Sequence, residues 1–169
     1  MQKALDTAWE QHILPTLMEF VRIPALSPGF DADWARNGHI DAAVALAENW
    51  CRQHAPEGTH IEVLRLPGRT PLLFVEIPGT GEGEAILYGH LDKQPESTGW
   101  DAGKGPWTPI IENDRLYGRG AADDGYAMFS SLWAIRLLHD AGLPYPTCRL
   151  IIECAEESGS PDLPACLDH

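Results

Sequence analysis

Apolar residues recur at helical spacing in three stretches of the chain. The first stripe repeats every four residues near the N-terminus, and Pro15 interrupts it, which predicts a kink or two abutting helices. The second stripe predicts one helix face, and the third predicts a helix from Tyr126 to His139 that Gly142 and Pro144 end. The first two stripes comprise Leu5, Trp9, Ile13, Leu17 and Val21, then Ile40, Ala43, Val44, Ala47 and Cys51.

Shorter apolar runs predict strands between these helices. Residues 61–63 alternate in polarity, and residues 72–77 and 85–88 are almost continuously apolar. Residues 110–118 predict a pair of strands that turn at an Asn-Asp dipeptide. The apolar run at 148–155 predicts a buried central strand. Because helices alternate with apolar strands, the chain is expected to form an α/β sandwich.

Composition and charge exclude several classes of function. The net charge is −13 over 169 residues, which argues against a nucleic-acid or anionic-membrane partner. No apolar run is long enough to span a bilayer, and the first residues lack the apolar core of a secretory signal. The four cysteines form no CxxC pair, so we expect free thiols and a cytoplasmic protein.

Acidic and histidine residues cluster where three predicted strands end. His90 and Asp92 follow the strand at 85–88, and an Asp123-Asp124 pair follows the strand around Leu116. A Glu156-Glu157 pair follows the central strand. Ligands of open α/β sheets bind outside the carboxyl ends of the strands. The three clusters are therefore expected to converge on one cation.

Each cluster also has a simpler interpretation. A lone histidine after a strand is more often a surface residue, although a metal-bound imidazole usually donates its second N–H to a carboxylate, as the His90-x-Asp92 pair allows. Asp123-Asp124 alternatively caps the following helix. Glu156-Glu157 alternatively lies in a solvated loop. Taken together, one histidine and several carboxylates favour a hydrolytic metal pair over a structural zinc site.

Three ordered stretches carry a resemblance to a known family. GHLDKQP, LYGRGAADDG and EESGS resemble the signature stretches of the M20 family of zinc-dependent peptidases and deacylases. The segments GPWTPIIENDRLYGRG and RIPALSP resemble further parts of it. The resemblance implies a zinc-exopeptidase-like fold, a three-layer α/β sandwich with a mixed, mostly parallel sheet flanked by helices. It also implies a cis peptide between Asp123 and Asp124.

The resemblance implies a role for each candidate site residue. His90 resembles a ligand of one metal, and Asp92 resembles the carboxylate that orients this histidine. Asp123 resembles the aspartate that bridges two metals, and Glu157 a ligand of the second. Glu156 resembles the general base that takes a proton from water. The implied cofactor is Zn²⁺, two per complete site, with Co²⁺ or Mn²⁺ as alternatives.

The chain departs from the family pattern in sequence and in length. Lys93 stands where the family usually has a small apolar residue, and Gly125-Tyr126 replaces a commoner Lys-Gly. Family members are longer, with a further Asp and His ligand and an inserted dimerisation domain. Residues 1–169 are therefore expected to be the incomplete, N-terminal part of a metallopeptidase catalytic domain. His169 matches no ligand, and the chain alone is expected to be inactive and to bind zinc weakly.

The expected function is hydrolysis of amide or peptide bonds in small peptides or N-acyl amino acids, in a full-length homodimer. One alternative is a non-catalytic metal-binding or interaction domain derived from the same family. Another is an unrelated cation-dependent phosphohydrolase, but the sequence contains no GxxxxGK[ST] phosphate-binding loop.

Overall fold

The structure, a computed structural model, describes residues 2–169, in which helices and strands alternate as expected for an α/β chain. The helices are α1 (Gln2–Ala8), α2 (Leu14–Arg22), α3 (Trp34–Asn37), α4 (His39–His54), α5 (Tyr126–Asp140) and α6 (Leu163–Leu167). The strands are β1 (His60–Leu64), β2 (Leu72–Ile77), β3 (Glu84–His90), β4 (Ile110–Glu112), β5 (Arg115–Tyr117) and β6 (Thr147–Glu153).

The N-terminal stripe is divided between two helices, as Pro15 predicts. A wide π-type turn, Trp9–Ile13, joins α1 to α2. Pro15 lies in the first turn of α2, where its missing N–H breaks no helical hydrogen bond. Leu17 and Val21 are buried, whereas Leu5 at the start of the stripe is exposed. The stripe therefore reaches the core only through its second half.

The core lies between one face of the main sheet and the helices α4 and α5. Helix α4 contacts β1 and β2, and α5 contacts β3 and β6. Alternate side chains of the two middle strands point into this core, with Leu73 opposite Ile152 and Val75 opposite Leu150. Burying each such side chain contributes about 1.5–3 kcal/mol. The helices predicted from the second and third apolar stripes, and the central position of the last strand, are confirmed.

The main sheet has the order β1-β2-β6-β3. Strands β1 and β2 are antiparallel, as are β2 and β6, whereas β3 and β6 are parallel. The α/β class with a mixed sheet is confirmed, but in residues 2–169 only one of three pairings is parallel. Residues 65–71 form a short connection that allows only an antiparallel pair, whereas β3 reaches its parallel partner through a crossover that contains α5.

The strands β4 and β5 form a separate two-stranded sheet. Their turn is at Asn113 and Asp114, as the sequence predicts, and both residues have positive φ angles of 52° and 59°. Asn and Asp tolerate this left-handed conformation, which matches the twist of a tight hairpin.

The second face of the main sheet is sparsely covered in residues 2–169. Ile86 of β3 is 68% exposed and Tyr88 is 46% exposed on this face. Cys166 and Leu167 of α6 line a groove with Phe74 of β2 on the same side. The expected third layer is therefore represented in the described residues by α6 alone. None of the helices in residues 2–169 has both the length and the apolar character that a bilayer-spanning helix requires.

Candidate metal centre

His90 is the last residue of β3, in register with Glu153 of β6. The strand therefore continues two residues beyond Tyr88, where the sequence predicted its end. The His90 side chain is 5% exposed, and its backbone N–H donates to Asp124 Oδ2 at 3.3 Å. The residue before it must be small, because a Cβ at Gly89 would lie 2.9 Å from that same oxygen.

Asp92 lies fully buried behind His90 and connects two of the clusters. Its Oδ1 accepts a hydrogen bond from the Glu156 backbone N–H at 3.1 Å, and its Oδ2 accepts one from the Glu157 N–H at 3.0 Å. The His90 Nδ1 atom is 3.0 Å from the Asp92 carbonyl oxygen and 3.5 Å from its carboxylate. Asp92 therefore holds the imidazole from one side and the Glu156-Glu157 backbone from the other.

The segment Ala121–Gly125, between β5 and α5, carries Asp123 and Asp124. Its π-type turn is interrupted by non-helical backbone at both aspartates, and the peptide between them is cis, as the resemblance implies. The pair follows the strand around Leu116 as predicted, and this strand, β5, belongs to the separate two-stranded sheet. The segment reaches the site through contacts with α2 and β3.

The Glu156-Glu157 pair lies in a short 3₁₀ turn, Glu156–Ser158, just after β6. Glu157 Oε2 accepts a hydrogen bond from Gln94 Nε2 at 2.6 Å. Glu157 Oε1 is buried and has no hydrogen-bond partner within residues 2–169. Glu156 is more open, with 41% of its side chain exposed.

The three clusters converge at the carboxyl ends of β3 and β6. Ligand atoms of His90, Asp123 and Glu157 all lie within 4.8 Å of one another. The His90 Nε2 atom is 3.3 Å from Asp123 Oδ1 and 3.7 Å from Glu156 Oε2. One imidazole nitrogen with carboxylate oxygens is a donor set that suits Zn²⁺, Co²⁺ or Mn²⁺. The unpartnered Glu157 Oε1 also fits a cation, since a buried oxygen without a partner is costly.

Burial and neighbouring charges shift the pKa values of this cluster. Burial alone would lower the pKa of His90, but the hydrogen bonds and charge of Asp92, with the charge of Asp124, raise it to about 9. Burial raises the pKa of Asp124 and that of Glu157, although His90 and Gln94 respectively oppose these shifts. His90 is therefore protonated at neutral pH without a cation, and a bound cation would displace that proton.

Lys93, one of the two departures from the pattern that the sequence resembles, has its side chain fully buried beside the site. Its Nζ donates to the carbonyl oxygens of Phe20 and Ile23 at 2.7 Å, at the C-terminal end of α2. The end of a helix favours a cation there. Burial nevertheless lowers the pKa of Lys93 to about 7. A Cβ at Gly120 would lie 2.7 Å from Lys93 Cε, so the lysine side chain has room here only because residue 120 is a glycine.

The structure brings the five predicted site residues close together, and it adds two contacts that the sequence did not predict. Gln94 holds Glu157, and Asp124 holds the backbone of His90. Gln94 is 63 positions from its partner, so no local pattern reveals the bond. Its place in the same loop as His90 and Asp92 is the one signal that marks it.

Comparison with known proteins finds relatives of this chain. Residues 86–168 match the family model described as peptidase family M20/M25/M40. Over these residues, nearly half of its length, the chain matches the M20 family of peptidases. A succinyl-diaminopimelate desuccinylase of Gluconobacter oxydans is 39% identical over 88 residues, which are 48% of this chain and 22% of the relative.

Two solved structures have the same fold. An M20 family metallo-carboxypeptidase of Sulfolobus solfataricus matches 93% of this chain with a TM-score of 0.76 and 27% identity. Human carnosine dipeptidase 1 matches 98% with a TM-score of 0.75 and 23% identity. The chain covers 34% of the first structure and 36% of the second. It therefore spans about a third or less of the length of these proteins.

Proposed function

We propose that this chain is part of a hydrolase that uses divalent metal ions to cleave amide or peptide bonds. The observation that carries the proposal is the convergence of His90, Asp123 and Glu157 within 4.8 Å, beside a carboxylate, Glu156, that is free to act as a base. In this proposal His90 and Asp123 hold one ion, and Asp123 and Glu157 hold the other. A carboxylate shared in this way would offset the repulsion between two neighbouring cations.

The chain's own residues divide the work of the reaction. Divalent ions held there supply Lewis acidity, which polarises a scissile carbonyl and acidifies water. Glu156 accepts the proton of the attacking water on its carboxylate and then delivers it to the leaving nitrogen. Its partial exposure suits a group that must meet the substrate. Asp92 keeps the His90 imidazole oriented and fixes the backbone that carries Glu156.

The proposed substrates are small peptides or N-acyl amino acids. The names of two relatives described above support these classes, since one is a desuccinylase and the other a carboxypeptidase. We further propose Zn²⁺ as the ion, a homodimeric full-length protein and a cytoplasmic location. All four cysteines are free and buried, which suits a reducing compartment.

Residues 1–169 alone are proposed to be inactive and to bind zinc weakly. They offer each ion two protein ligands, one of them shared, whereas a catalytic zinc normally has three. The remaining ligands would then lie in a further part of the full-length protein. Two tight sites in the 169-residue chain, measured by zinc calorimetry, would contradict this proposal.

Replacing Glu156 by Gln in the full-length protein tests the general base. We expect turnover to fall by at least ~10²-fold, because the amide cannot accept the proton. Metal content, measured by mass spectrometry of the dialysed protein, should stay at the wild-type value. Glu57→Gln is the matched control, since this exposed residue precedes β1, at the opposite edge of the sheet. Wild-type turnover in Glu156→Gln would remove this residue from the mechanism.

A non-catalytic metal-binding or interaction domain is the second candidate. The same unpartnered carboxylate oxygen of Glu157 supports cation binding with or without turnover. Metal binding by the full-length protein without hydrolysis of any dipeptide or N-acyl amino acid in a broad screen would favour it.

A further inference from the structure

The loop after β3 controls Glu157 through two separate contacts. Asp92 holds the Glu157 backbone N–H, as described above, and Gln94 holds its side chain. The loop itself is fixed, because the Lys93 carbonyl oxygen accepts a hydrogen bond from the Ser27 N–H at 3.0 Å. Gln94 therefore extends from an anchored backbone.

The two carboxylate oxygens of Glu157 have different surroundings. Oε2 receives the Gln94 amide at 2.6 Å, and Oε1 is buried without a partner in the described part of the chain. A carboxylate with one oxygen tied is rotationally fixed, so the second oxygen keeps one direction. That oxygen is the atom which remains available to a cation.

The type of side chain at position 94 also matters. An amide donates a hydrogen bond without carrying charge, so Glu157 keeps its full negative charge for a cation. A lysine or arginine there would neutralise the carboxylate and compete with the ion. A neutral donor beside Asp123, Glu156 and Glu157 thus orients the acidic cluster without reducing its charge.

We propose that Gln94 is a positioning residue that acts through Glu157 and sets the affinity of the second metal ion. The proposal rests on the metal-ligand role of Glu157 in the proposed function. Partners of metal ligands typically contribute 10–100-fold to metal affinity. The first ion, on His90 and Asp123, has no contact with Gln94 in this account and should be unaffected by its removal.

The test replaces Gln94 by Met, which has a similar length and no hydrogen-bond donor, in the full-length protein. Both dissociation constants are measured by titrating the metal-free protein with Zn²⁺ and with Co²⁺ in the presence of a competing chelator. We expect the dissociation constant of the second ion to rise at least tenfold and that of the first ion to stay within twofold. Gln53→Met on the exposed side of α4 is the control and should change neither constant.

The outcomes separate this proposal from the proposed function. Two ions bound by wild type, with both constants unchanged in Gln94→Met, would overturn the role of Gln94 alone. Equal weakening of both ions together with a lower melting temperature would also overturn it, since that pattern is general destabilisation. If Gln94→Met does not fold, Gln94→Ala is measured in the same way. A wild-type protein that binds no metal would overturn both proposals.

Discussion

Two segments meet at the candidate metal centre, and they are held in different ways. In the segment His90–Gln94, the first four side chains are buried. In the segment Ala121–Gly125, the side chain of Asp123 is 69% exposed. One half of the site is therefore fixed by the protein itself, and we expect the position of the other half to depend on a cation.

The first segment is fixed because each polar side chain has a partner on a different element. Asp92 binds the turn after β6, Lys93 binds the end of α2, and Gln94 binds Glu157. Such buried, fully bonded groups specify one arrangement, because moving the segment would leave several of them unpaired at once.

The second segment lies among charges of the same sign. Asp123 and Asp124 are adjacent, and Asp123 raises the pKa of Glu157 together with burial, the larger cause, and with Glu156. Like charges in one site oppose each other's ionisation. Without a cation, the one opposite charge near Asp123 described above is the imidazolium of His90. A divalent ion would replace that proton and hold the carboxylates together.

The largest loss of stability is expected for Asp92→Asn. Replacing Asp92 by Asn places an amide N–H against the backbone N–H of Glu156 or Glu157, so one hydrogen bond is lost and the other keeps only an uncharged acceptor. We expect the free energy of unfolding of the metal-free protein to fall by about 2–3 kcal/mol. The pKa of His90, measured by NMR, should also fall from its raised value, because Asp92 is what raises it against burial. Wild-type stability in urea would mean that this segment is not fixed by Asp92.

Most elements of the fold could be predicted because they have strong periodicity. The helix over residues 126–140 and the central strand β6 combine apolar repeats with clear ends at glycine and proline. The direction of strand pairing could not be predicted, since it depends on which strands become neighbours. The end of β3 was missed because Gly89 and His90 are not typical strand residues, yet they pair with β6.

The candidate site was predictable where each residue lies at or just after the end of a predicted strand. His90, Asp123 and Glu157 were expected together, and the structure brings them together. The contacts of Lys93 and Gln94 could not be predicted, because their partners lie 73 and 63 positions away. A lysine in a loop is normally solvated, so only the folded chain reveals that the Lys93 ammonium group binds carbonyl oxygens at the C-terminal end of α2.

A smaller effect is expected for Lys93→Met, and it depends on pH. The pKa of Lys93 is about 7 in the folded protein and ~10.4 in an unfolded chain. Between these values the unfolded state binds more protons, so stability rises with pH in wild type. The stability of wild type relative to Lys93→Met should increase by about 2 kcal/mol from pH 7 to pH 9. If urea unfolding gave the same change in stability with pH for wild type and Lys93→Met, Lys93 would stay charged in the folded protein.

The smallest effect is expected for Asp123→Asn, the same chemical change as Asp92→Asn in the other segment. Without metal, the free energy of unfolding should change by less than ~0.5 kcal/mol, because the side chain is exposed. Losing the contact with His90 and relieving the repulsion from neighbouring carboxylates act in opposite directions.

Adding Zn²⁺ to the full-length protein should then make the stability of Asp123→Asn differ from that of wild type. Wild type gains stability because the ion binds the folded state, and Asp123→Asn should lose most of that gain because its shared ligand is weakened. Urea unfolding with EDTA and with excess Zn²⁺ measures both quantities. If Asp123→Asn in EDTA lost as much free energy of unfolding as Asp92→Asn, protein contacts would also fix the Asp123 segment. The contrast between the two halves of the site would then be wrong.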